Sequence, residues 1–168
     1  MKTPIALFAA VFVLMAWSTH PAAGALLAPG QPAPELKIMG PGGQVVSLSS
    51  LKGHPVLVDF WASWCPPCRT SIPALDAIFR EFHGRGFEVM AINVDESRKD
   101  ADRFLSGHAY LMPIVFDTTG QSPREAGVYG MPTSFLVDRA GIIRFVHRGY
   151  SDKVLESYRR EVQQLLAE

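Results

Sequence analysis

The sequence predicts an α/β fold in which a mixed central sheet is flanked by helices. Three observations carry the expectation. Runs of β-branched and aromatic residues alternate with amphipathic segments through the middle of the chain, which gives strand–helix–strand units and a parallel half-sheet. Two further strands close the series in a hairpin and add an antiparallel half. The length, 168 residues, suits one domain with a short extension.

The elements follow in order. Met1-Lys2 gives a minimal positive start, and Ile5 to Trp17 is an uncharged apolar run. Ala23-Gly24-Ala25 fits the small-x-small rule for signal cleavage. The run is shorter than the about 20 apolar residues that span a bilayer. Residues 1–25 therefore read as a signal peptide or N-terminal anchor, with 5–18 as the candidate membrane segment. A buried amphipathic helix is the weaker reading, because the run has no polar face. Either of the first two readings sends the rest of the chain out of the cytosol, to the periplasm or another extracytoplasmic space.

Residues 26–34 are rich in proline and glycine and read as a linker to a domain over 35–168. Residues 35–39 and 44–48 flank Gly40-Pro41-Gly42-Gly43 and suggest an N-terminal β-hairpin extension. Residues 55–62, PVLVDFWA, should form a buried central strand. A helix is expected over 67–83, where Ile72, Leu75, Ile78, Phe79 and Phe82 make one apolar stripe. Pro73 should kink it, and Gly84 and Gly86 should end it. Residues 87–94 read as a second buried strand. Ser97 reads as an N-cap, with Asp100 completing a variant capping box, for a helix running to about Gly107. A short strand over 114–117 precedes a brief helix opened by Ser122-Pro123, with proline at the first helical position. Strands over 133–137 and 142–146 meet at Asp138-Arg139-Ala140-Gly141, and a last helix covers 151–166.

Composition excludes several function classes. Lysine plus arginine number 16 and aspartate plus glutamate 16, so the net charge is zero and no basic stripe for nucleic acid exists. The five histidines are scattered, with no cysteine partner at zinc spacing. No metal or cofactor site is expected. The two cysteines, Cys65 and Cys68, lie three residues apart. A bridge that short closes a tiny loop and restrains the unfolded chain little. The pair is better explained as a redox couple.

Trp64-Cys65-Pro66-Pro67-Cys68 falls between the central strand and the first long helix. Cys65 would sit where unpaired backbone N–H groups and the helix dipole favour an anion, which lowers a thiol from about 8.5 toward neutrality. Cys68 would lie one turn inward, within reach of a mixed disulfide on Cys65. Pro66 and Pro67 cost no hydrogen bond in the first turn and stiffen the loop.

VDFWASWCPPC resembles the active-site strand and loop of thioredoxins. The exported start and the NVDES segment are closer to the TlpA/ResA/DsbE-type periplasmic or membrane-anchored proteins. Gly130-Met131-Pro132-Thr133, leading into SFLVD, matches the loop that family sets against its dithiol. The resemblance runs from about Ala33 to the C-terminus and implies a thioredoxin fold. It also implies that Pro132 is cis, that Met131 lends its backbone to an extended substrate, and that exposed Trp64 shields the sulphurs. Met131 differs from the residues common there in general thioredoxins. The substrate face is thus expected at Trp64, Met131, Pro66 and Pro67. Asp59 matches the buried acid beneath the resolving cysteine, and Glu96 matches an acid that ResA-like proteins set near the dithiol. Having both leaves the division of labour open. For Asp59 the alternative is a tolerated polar strand residue, and for Glu96 a helix-leading acid. Trp61 reads as packing, and Arg69 as a basic residue beside the motif or a solvated helix position.

The expected activity is that of an exported protein thiol:disulfide oxidoreductase. The resemblance implies the reductive direction, toward cytochrome c maturation or metal-centre assembly, with a membrane thiol–disulfide donor resupplying electrons. The competing expectations are a thiol oxidant or isomerase, a Cu(I)-binding dithiol module, and a peroxiredoxin. The last arises because PGQPAPEL resembles the opening of that family, although its proline-threonine context for the reactive cysteine is absent.

Overall fold

The computed structural model describes residues 27–168. The expected signal or anchor segment therefore lies outside the described residues. Seven strands form one sheet in the spatial order β2-β1-β5-β4-β3-β6-β7. They are β1 Lys37–Met39, β2 Val45–Ser47, β3 Val56–Trp61, β4 Glu88–Asn93, β5 Ile114–Phe116, β6 Thr133–Val137 and β7 Ile143–Arg148. The helices are α1 Pro66–Phe82, α2 Arg98–Leu105, α3 Gln121–Glu125 and α4 Asp152–Ala167.

The sheet is mixed, as the element pattern predicts. β3, β4 and β5 are parallel neighbours, while β6 and β7 run antiparallel beside β3. The N-terminal hairpin joins the same sheet, because β1 pairs with β5 through Met39 and Phe116. β3 is buried at all six positions, the mark of a strand covered on both faces. Alternation sorts its side chains. Leu57 and Trp61 point into a core beneath α1 and α4, while Val56, Val58 and Phe60 point into a second core on the opposite face.

Several local expectations hold. α1 buries Ile72, Leu75, Ile78, Phe79 and Phe82 and contains Pro73. A single 3₁₀ turn follows it, and Gly86 at φ 90° lets the chain reverse into β4. At the β6–β7 turn, Asp138 accepts from the N–H groups of Ala140 and Ile142, and Gly141 takes φ 88°. Ser151 caps α4 by accepting from the Val154 N–H.

Two local expectations are corrected. Ser97 occupies the N-cap of α2, but its hydroxyl makes no capping bond, and the Asp100 carboxylate turns to Arg103 at 2.9 Å. Exposed at the surface, an ion pair one turn along competes with the box. In α3 the cap is Gly120, so Pro123 is the third helical residue and not the first. Proline is still tolerated there, since the first four helical N–H groups have no intrahelical acceptor.

Residues 27–33 lie along the β7 edge. Gly30 N–H donates to the Ile143 carbonyl, Ile143 N–H to Gln31, and Ala33 N–H to Gly141, each at 2.8–2.9 Å. Leu27 is buried in the second core. This segment covers a sheet edge that would otherwise present unpaired backbone groups. Among the described residues, no helix is long and apolar enough to cross a membrane.

Candidate active site

Cys65 and Cys68 are joined in a disulfide. β3 ends at Trp61, and Cys65 becomes the N-cap of α1 with extended backbone. Its N–H donates to the Ala62 carbonyl, and its carbonyl accepts from Arg69. Pro66 and Pro67 fill the first two helical positions and have no N–H to offer. The first free donor of the helix is therefore the Cys68 N–H, which points at Cys65 Sγ at 3.3 Å. In the reduced pair, that donor and the helix N-terminus would face a thiolate. Cys65 is only 4% exposed and Cys68 is fully buried, so an incoming partner reaches the sulphur of Cys65 first.

The Met131–Pro132 peptide bond is cis. The register fixes where this loop lies. β3 and β6 are antiparallel, with Phe60 opposite Thr133, so residues 130–132 sit beside the end of β3 that leads into the dithiol loop. Met131 packs against the core cluster that contains both cysteines. Trp64 is 67% exposed on the same loop as the cysteines, whereas Trp61 is fully buried against Phe104. Leu27, Tyr129, Met131, Pro132 and Arg148 line a cavity of about 180 Å³ beside this loop. Arg69 lies over the Phe104 ring, 5.7 Å from its centroid.

The two acids expected near the dithiol are placed very differently. Asp59 is fully buried on β3, on the sheet face covered by α1 and α4. Neither carboxylate oxygen has a hydrogen-bond partner. Burial alone lifts its pKa well above the ordinary carboxylate range. Glu96 is exposed at the turn between β4 and α2. Its neighbour Asp95 is the buried one, and sequence reading passed over it. Asp95 accepts from the Ser63 N–H at 3.1 and 3.2 Å and from Asn93 Nδ2 at 3.0 Å. It thereby ties the loop after β4 to the loop that carries Trp64 and Cys65. Asn93 is a polar residue at the end of an apolar strand, directly before that loop, and was the available signal for such a clamp.

The geometry offers a bridged thiol pair at a helix N-terminus, an outer and an inner sulphur, and an unpartnered acid on the sheet face beneath the same helix. No group of three or more histidine, cysteine or acidic side chains capable of holding a metal occurs among the described residues.

Comparison with known proteins agrees with this arrangement. A sequence profile of the AhpC/TSA family matches residues 29–146. The chain is 30% identical over 130 residues to thiol-disulfide oxidoreductase ResA of Bacillus subtilis, covering 77% of this chain and 73% of that protein. It is 32% identical over 127 residues to the thioredoxin-like protein YneN of the same organism, covering 74% of each. A crystal structure from Chlorobium tepidum, designated thiol:disulfide interchange protein DsbE, superposes with a TM-score of 0.79 at 40% identity. The match covers 83% of this chain and 99% of that one.

Proposed function

The chain belongs to the AhpC/TSA family, and on that footing we propose that it is an exported protein-disulfide reductase working through Cys65 and Cys68. Its fold is thioredoxin-like and its class is that of a thiol-disulfide oxidoreductase of ResA/DsbE type, acting on protein thiols and disulfides. The observation that carries the finer reading is the N-cap position of Cys65, with the Cys68 N–H aimed at its sulphur and an unpartnered acid in the core behind.

In the reduced protein, the Cys65 thiolate attacks one sulphur of a partner disulfide. A mixed disulfide forms and the partner's other sulphur leaves as a thiolate. Cys68 then loses its proton to a nearby base and attacks Cys65 Sγ. The Cys65–Cys68 bond forms, the second partner sulphur leaves, and two electrons have passed to the partner. Asp59 is the acid we assign to Cys68, because a lone buried carboxyl shares its sheet face with the helix that holds that thiol. Glu96, at the surface, is assigned no more than a contact with an incoming partner. Trp64, Met131, Pro66 and Pro67 border the reactive sulphur and form the docking face. Pro132 leads the substrate loop into β6.

The apolar run over 5–18 supports an extracytoplasmic site of action, by signal cleavage or by anchoring. A membrane thiol–disulfide donor would restore the reduced pair, since exported compartments are oxidising. Proteins of cytochrome c maturation or metal-centre assembly are the substrates we assign.

Two measurements test the reading. With Cys68→Ser, mixed disulfides should accumulate on Cys65 and be recovered with their partners. Absence of any such adduct in a reducing-agent-free extract would count against the mechanism. The reduction potential tests the direction. A value near that of thioredoxin, about −270 mV, fits a reductant, whereas one near about −120 mV makes the protein an oxidant.

A further inference from the structure

A row of polar side chains crosses the sheet behind the dithiol. Asp59 on β3 pairs with Ser134 on β6, and Ser134 pairs with His147 on β7. Directly paired residues point to the same face, so the three lie side by side. Around them the same face carries Leu57, Trp61 and Leu136 in the core beneath α1 and α4, and buried Asn93 beside Trp61 at the dithiol end. α4 lays two more polar groups on the row, Tyr158 and Glu161, both buried and three residues apart. The Tyr158 hydroxyl is 2.6 Å from Ser134 Oγ, and Glu161 Oε2 is 2.7 Å from His147 Nε2. The His147 and Tyr158 rings meet edge to face at 5.0 Å. Four of the five residues are thus joined in two hydrogen-bonded pairs, and Asp59 stands apart.

Polar groups buried in a sheet core add little stability over apolar side chains of similar shape. Valine and leucine could close this face. What the row supplies is dipole and charge beside an isolated carboxyl, in surroundings where electrostatic interactions are poorly screened. Tyr158 senses the charge of Asp59, whose own shift comes from burial. Burial first, and the charge of Asp59 second, push the Tyr158 phenol above its ordinary range, while the Ser134 hydrogen bond acts the other way and Glu161 adds to the rise.

We propose that, on top of burial, the Tyr158–Ser134 and Glu161–His147 pairs adjust the proton affinity of Asp59 and through it the resolving step at Cys68. Tyr158 and Glu161 are positioning residues, acting on the dithiol only through Asp59. The Tyr158 and Ser134 hydroxyls favour the ionised carboxylate. Glu161 opposes it with a like charge, its Oε2 turned toward His147 Nε2. The titratable groups presented to this face are Tyr158 and Glu161 from α4, His147 from β7 and, once the disulfide is reduced, Cys68 from α1, with Tyr150, just before α4, acting on Tyr158. β4 and β6 contribute Ala91 and Ser134 opposite Asp59, neither of which titrates.

The inference rests on the reading of Asp59 as the acid for Cys68, and its test does not depend on turnover. The Asp59 carboxyl carbon is followed by NMR against pH in oxidised protein labelled with ¹³C-aspartate, with Asp59→Asn identifying the signal. Tyr158→Phe should raise the proton affinity of Asp59 and Glu161→Gln should lower it, each at least roughly threefold, or about half a pH unit. A merely structural role predicts shifts of one sign or none. Shifts of the same sign in both variants, or titrations that coincide with the parent, would overturn the proposal. Should Tyr158→Phe fold poorly, Ser134→Ala replaces it with the same expected sign. The rate of Cys68 resolution in Asp59→Asn is read separately. If that rate matches the parent, the role of Asp59 falls while the coupling stands. If resolution slows but the NMR shifts are missing, only the coupling falls.

Discussion

Asp59 is the residue on which burial and chemistry conflict most directly. Its carboxyl has no hydrogen-bond partner and sits in a core, so its proton is held well above the ordinary carboxylate range. The stability consequence has a definite sign. At low pH the folded and unfolded chains both carry the proton, and the residue adds no pH dependence. Above the ordinary carboxylate pKa the unfolded chain releases the proton while the folded chain keeps it. Stability therefore falls as pH rises from that value toward the folded-state one. Asp59→Leu removes this slope and a buried unpaired group together. It should stabilise the oxidised protein by about 1–3 kcal/mol at pH 4, where only the unpaired group counts, and by more at pH 8, where the linkage is added. Denaturant titrations at the two pH values measure the difference. A variant as steep in pH as the parent would show that the burial is not felt. The same substitution should slow resolution at Cys68, so stability gained here is activity lost.

At the scale of elements, α1 must deliver Cys65 to the sheet end and also hold the strand layer beneath it. Asp76 serves the second task from the far part of the helix. Its carboxylate accepts from the Leu111 and Met112 N–H groups at 2.7 and 2.9 Å and from Arg80 Nε at 2.6 Å. The loop before β5 is thereby fastened to the active-site helix. Asp76→Ala leaves two backbone donors without their acceptor and should cost about 2–3 kcal/mol. Faster amide exchange at Leu111 and Met112 would accompany the loss, and unchanged exchange would count against the tether. The element pattern was legible in the sequence because its signals are local. The apolar run of β3, the stripe of α1 and the Asp138–Gly141 turn each declare themselves within a few residues. Asp76, Asp95 and the Ser134–Tyr158 pair were not legible, because their partners are set by register and by helix docking. Tyr158 lies on the buried face of α4 with Val162 and Leu165, where its ring packs. The choice between Asp59 and Glu96 could not be made from spacing, since both follow from motif resemblance. Burial separates them: one is enclosed, and the other faces solvent.

Across the whole molecule, the sheet order explains why one end of the protein holds the chemistry. The C-terminal end of β3 and the N-terminal end of β6 coincide because the strands are antiparallel neighbours. Two loops distant in sequence, 62–65 and 130–132, thereby meet beside one cysteine pair. The whole fold then acts as the solvent for a single electron-pair transfer, and its poise depends on how well it stabilises the reduced form. Paired prolines at the start of α1 limit that stabilisation. A residue with an N–H at position 67 would turn a second donor toward the outer sulphur, as side-chain caps accept from the second or third helical N–H. Pro67→Ala should therefore favour the dithiol and raise the reduction potential by about 30–60 mV, the equivalent of one charge-assisted hydrogen bond. Equilibration with glutathione buffers measures the change, and a potential that does not rise would refute the account. With a single donor at that sulphur, the reduced pair is held less firmly than it would be with an N–H at position 67, and the two prolines lower the poise of the couple accordingly.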